Sequence, residues 1–108
     1  MKLVVAIIQD RDTDPTLQAL TGRGIVVTRI ATSGGFLVEG NTTLLIGTDE
    51  SKVPVVTEIL RKTCQRRKLF VPMAAGITDT AYGLQNQIEV EVGGATMFVF
   101  DVEHFEQV

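Results

Sequence analysis

The sequence predicts an α+β fold: a ferredoxin-like plait of β-α-β-β-α-β order with an extra C-terminal strand. Three observations lead there. Two segments space their apolar residues at helical intervals. Short runs rich in Val, Ile, Thr and Phe flank and separate them and read as strands. Several of those runs are apolar on both faces, and two helices can cover only one face of a sheet. A second copy of the chain is the natural cover for the other face, most simply in a closed ring.

The elements follow in order. Residues 3–8 are an unbroken apolar run and read as a first strand buried on both sides. A lone Lys2 and no small-residue cleavage site make a signal peptide the poorer reading of this start. Asp14 before Pro15 reads as an N-cap with proline at the first helical position. Leu17 and Leu20 share one face of that helix, and Gly22 or Gly24 ends it. Residues 25–31 form the second strand, with Val27 and Arg29 on one side and Val26, Thr28 and Ile30 on the other. A Gly-rich loop leads to a third strand over residues 42–46, closed by Gly47.

A second helix starts near Ser51 and tolerates Pro54 in its first turn. Its apolar stripe is Val53, Val56, Leu60 and Cys64 or Thr63. Arg61, Lys62, Arg66, Arg67 and Lys68 crowd its last turns, where cations suit the helix dipole. Residues 69–73 read as a short extended piece and residues 74–87 as a long loop. Residues 88–92 alternate strictly, Gly93-Gly94 signals a hairpin, and residues 95–100 return as the last strand. Residues 102–108 are a tail with Phe105 as an anchor. The 108 residues hold one core, hence a single domain over residues 1–108.

Composition excludes several functions. A net charge of −3 offers no basic field for a nucleic-acid polymer. No apolar run reaches the roughly 18 residues of a membrane span, so a cytoplasmic protein without membrane insertion is expected. The lone Cys64 excludes an internal disulfide, and with a lone His104 no metal site or other cofactor is expected. No phosphate-loop Lys-Ser/Thr motif is present, and no base accompanies a nucleophile, so no enzyme is expected. Glu89 and Glu91 share a strand face and read as solvated or salt-bridged.

Residues 31–43 stand apart. Gly34 and Gly35 let the backbone turn its N–H groups toward an anion. Phe36 offers a ring for stacking, and Asn41 an amide that both donates and accepts. Donors, a stacker and an amide within eight residues favour a small phosphorylated purine as ligand.

Here the chain resembles the cyclic di-AMP receptors of the PII-like signal-transduction superfamily. The carrying segments are residues 1–10 with Asp12, residues 28–43, Gly47, and Glu89-Val90-Glu91-Val92-Gly93-Gly94-Ala95-Thr96. The resemblance implies a PII-like subunit assembled as a homotrimer, with ligand sites in clefts between neighbouring subunits. It implies no enzymatic activity, but loops that rearrange on binding and meet an unidentified protein partner. It assigns Thr28 to a ligand phosphate, and Gly35, Phe36 and Leu37 to a loop that wraps an adenine. Asn41 then reads the adenine edge, and Gly47 is a wall where backbone approaches the base. Gly93, Phe98 and Gln107 line the pocket from the neighbouring subunit.

One departure bears on the ligand. The family carries Arg where this chain has Val26. Arg29 points the other way on its strand, which leaves Arg66 or Arg67 at the helix end as the cations to consider. The reading is therefore a trimeric, non-enzymatic receptor for cyclic di-AMP. The alternatives are a receptor for another adenine nucleotide, ATP or AMP, and an interaction module that has lost nucleotide binding.

Overall fold

The computed structural model describes residues 1–32, 40–72 and 87–108. Its central strand is β1, Lys2–Gln9, which pairs antiparallel with two neighbours. These are β3, Asn41–Thr48, and β6, Ala95–Asp101. Strand β2, Thr28–Thr32, adds to the far side of β3, so the order is β2-β3-β1-β6. Two helices lie on one face: α1, Thr13–Gly22, and α2, Val53–Thr63. Every second residue of β1 and β3 enters the core between sheet and helices. Val4, Ala6, Ile8, Leu44 and Ile46 are at most 1% exposed, against Leu20 of α1 and Val56 of α2 at 0%. The architecture is compatible with a ferredoxin-like plait.

The plait's fourth strand differs from the expected one. Strand β6 itself pairs with β1. The additional strands are β4, Arg67–Pro72, and β5, Gln87–Val92, which form a separate two-stranded ribbon. The extra pair is thus inserted before the last strand rather than appended after it. The hairpin expected at Gly93-Gly94 is absent for the same reason, since β5 pairs with β4 and β6 with β1. These glycines instead carry the chain from ribbon to sheet, with φ of +93° and +92°, which side-chain-bearing residues rarely adopt.

Helix α1 also starts differently. A 3-10 turn, Asp10–Asp12, leads into it, and Asp12 rather than Asp14 holds the cap position, without a capping hydrogen bond. Its carboxylate is engaged elsewhere: Arg67 donates from Nη2 to Asp12 Oδ1 at 2.8 Å. Arg67 and Lys68 open β4 instead of ending α2, and Lys68 pairs with Glu89 at 3.2 Å across the ribbon. The two helices meet through hydroxyls, Thr16 Oγ1 lying 2.7 Å from Thr63 Oγ1, so part of α1's inward face is threonine. At the sheet's other end the half-buried Lys2 and the exposed Asp101 pair their side chains between β1 and β6. That hydrogen bond raises the Lys2 pKa and lowers that of Asp101. No helix among the described residues is long and apolar enough to cross a membrane.

Candidate functional site

Strand parity decides where the candidate residues go. Even positions of β1 and β3 face the helices, so their odd positions face away. Residues directly opposite in an antiparallel ladder share a face. One row therefore crosses the open face as Thr28, Leu45, Val5 and Phe98. A second runs Gly47, Leu3 and Phe100, and a third pairs Asn41 with Gln9. Thr28, Asn41, Gly47 and Phe98 thus share the face the helices leave open.

Spacing within that face follows from strand geometry. Asn41 and Gly47 are six residues apart on β3, about 20 Å, with the Thr28 row between them. Thr28 and Phe98 lie on opposite edge strands, three strand spacings or about 14 Å apart. Beside Gly47 a cleft of about 200 Å³ is lined by Val26, Thr48, Asp49 and Lys52. Val26 is 79% exposed and gives the cleft an apolar lip. Lys52 is its cationic side chain. Neither cation considered from the sequence lines it: Arg67 is engaged by Asp12, and Arg66 lines a hollow between α2 and β6. That hollow, about 440 Å³, contains none of the predicted site residues.

The remaining candidates are placed as follows. Gly35, Phe36 and Leu37 lie outside the described residues, as does most of the long loop over residues 74–87. Gly93 sits beside the end of β1, where its N–H donates to Gln9 Oε1 at 2.7 Å. In this structure its amide is committed within the chain. Gln107 is exposed in the tail that follows β6. Phe98 stacks on Phe100 with ring centroids 6.4 Å apart, and the two are about half exposed. Sequence reasoning missed Lys52 and Gln9. Lys52 precedes α2 and shows no periodicity signal, but Gln9 continues the odd register of β1 and is legible by parity.

The open face is strongly apolar. Ile7, Ile30, Phe98 and Phe100 are between 36% and 52% exposed on it. Contiguous apolar surface of this kind marks an interaction site. Its polar side chains include the Gln9 and Asn41 amides and the hydroxyls of Thr28, Thr43 and Thr96, and the cleft beside Gly47 adds the Lys52 ammonium and the Asp49 carboxylate. Such a set has the chemistry to hold a ligand by hydrogen bonds and apolar contact. Among the described residues no group of His, Cys, Asp and Glu is arranged to hold a metal ion.

Comparison with known proteins bears on the family and the fold. A family model described as cyclic-di-AMP receptor matches residues 1–108. A crystal structure of a functionally unknown protein from Pediococcus pentosaceus ATCC 25745 superposes with a TM-score of 0.77 at 39% sequence identity. The match covers 99% of this chain and 96% of that one. The chain belongs to the cyclic-di-AMP receptor family.

Proposed function

We propose that this family member is a non-enzymatic signalling protein that binds cyclic di-AMP in clefts between the subunits of a homotrimer. Binding rearranges its loops, and the new arrangement is read by a protein partner in the cytoplasm. One observation carries the ligand: Asn41, Thr28 and Gly47 lie in that order along one open face, over about 20 Å. A span of about 20 Å exceeds a single adenine, so in this reading Gly47 borders a second base and not the one that Asn41 reads, and a cyclic dinucleotide supplies two bases where a mononucleotide supplies one. Gly35, Phe36 and Leu37 complete the first base pocket in this reading.

The assembly reading rests on the sheet. Thr28 and Phe98 occupy opposite edges of one subunit, too far apart to grip the same group. In a ring, the β2 edge of one subunit meets the β6 side of the next, and both then border one ligand. The apolar rows of the open face are buried by the same contact. Gln107 and the region of Gly93 reach the cleft from the neighbour in this arrangement.

Val26 favours a second reading, in which the ligand is ATP or AMP and depends less on a cation at that position. Replacement by the family's residue separates the two. Val26→Arg places a guanidinium at the cleft, and a charge-assisted hydrogen bond contributes about 1.5–3 kcal/mol. Cyclic di-AMP affinity is expected to rise about ten- to a hundredfold. Competition titrations of wild type and variant against ATP and AMP read this. A gain confined to ATP or AMP contradicts the cyclic di-AMP reading. A variant and wild type that ignore all three nucleotides support the interaction module.

A further inference from the structure

The root of the β4–β5 ribbon is held at three points. Arg67 reaches the buried Asp12, the Gly94 N–H donates to the Cys64 carbonyl at 2.6 Å, and the Gly93 N–H donates to Gln9 Oε1. The first two partners belong to the helix side of the molecule. Gln9 belongs to the open face, directly opposite Asn41. It is therefore the side chain that joins the ribbon root to the end of the sheet where the candidate base-reading residue sits.

The Asp12–Arg67 anchor is incomplete. Asp12 is 2% exposed, and its Oδ2 is buried with no hydrogen-bond partner among the described residues. Among the described residues Arg67 is thus the side chain that holds this buried carboxylate, through one of its two oxygens. The Gln9–Gly93 bond is a separate hold on the ribbon root, made from the sheet and not from the helices. A shift at the Gln9–Asn41 row would change the distance from Gln9 Oε1 to the Gly93 N–H and so the hold on the ribbon.

We propose that Gln9 is a positioning residue that couples nucleotide occupancy at Asn41 to the orientation of the β4–β5 ribbon. The inference rests on the functional reading above, but its anchoring half stands without ligand. Two substitutions separate the parts. Gln9→Met keeps the length of the side chain and removes the acceptor. Gln9→Glu keeps an acceptor oxygen at the same reach and removes the amide donors.

The test is hydrogen exchange on the full chain, with and without saturating cyclic di-AMP, in wild type and both variants. Without ligand, exchange over residues 87–94 is expected to be about tenfold faster in Gln9→Met, the signature of losing roughly 1.4 kcal/mol of local protection. Gln9→Glu restores the wild-type rate. In wild type the nucleotide changes exchange over the ribbon, and in Gln9→Met that response disappears while exchange in β1 and β3 stays slow. Equal ligand-free exchange in wild type and Gln9→Met overturns the anchor. A ribbon response that survives in Gln9→Met overturns the coupling with the receptor reading intact. Wild type that does not bind cyclic di-AMP overturns the receptor reading and the coupling together, and the ligand-free rates still report on the anchor.

Discussion

Asn41→Ala is expected to lose most of its affinity for cyclic di-AMP and to keep its fold. Asn41 is the first residue of β3, half-buried, on the open face opposite Gln9. Its amide is able to donate to one atom of an adenine edge and accept from the next. Alanine leaves those atoms unpaired in a site the ligand has dried. An unsatisfied polar group costs about 1–3 kcal/mol, or roughly five- to 150-fold in affinity. The fold survives because the β1–β3 ladder at this point is made by backbone groups. Titration with cyclic di-AMP, with a thermal melt as control, checks both halves. Unchanged affinity removes Asn41 from the site.

Gly93→Ala is expected to destabilise the protein itself. At φ +93° a side chain is strained wherever it points, at about 1–3 kcal/mol. A Cβ at this position also collides with the Gln65 carbonyl, which is backbone and does not swing aside. Relief requires the ribbon root to move away from residue 65. That movement breaks the Gly93–Gln9 bond, and its neighbour Gly94–Cys64 with it. The combined loss is expected to exceed about 2 kcal/mol, which lowers the melting midpoint of a domain this size by about 8–16 °C. Denaturation of Gly93→Ala against wild type reads it, and a midpoint within two or three degrees contradicts the account. Gly93 then stands as a structural residue first, whatever it lends to a neighbouring subunit.

Part of the open face was legible from the sequence: alternation on the second strand separates Thr28 and Ile30 from Val27 and Arg29, and strands apolar on both sides called for a cover on the face that two helices leave. The unbroken apolar run of β1 hid its own parity, so the split of Val4, Ala6 and Ile8 from Leu3, Val5 and Ile7, and the placing of Gly47 with Thr28, came only with the strand pairing. The helices were legible from their apolar spacing and from Pro54. Strand order was not legible. Whether β4, β5 or β6 lies beside β1 depends on side-chain packing between distant segments, and all three runs have suitable composition. The Gly93-Gly94 pair misled for a related reason: positive φ serves a hairpin turn and a crossing between sheets equally well.

The Asp12–Arg67 pair joins residues 55 positions apart, and nothing local announces it. Asp12 looked like part of a polar connection, and Arg67 like one more cation at a helix end. Lys52 was hidden in the same way. Its place beside Val26 and Gly47 depends on the turn from β3 into α2, not on any pattern within its own segment.

If this chain holds one cyclic dinucleotide per subunit between copies of itself, calorimetric titration of the purified protein with cyclic di-AMP, with ATP and cyclic di-GMP as controls, reads it without a variant. Saturable heat is expected with cyclic di-AMP near one ligand per subunit, and weaker or no heat with the controls. Heat with ATP alone, or silence with all three nucleotides, overturns the receptor reading.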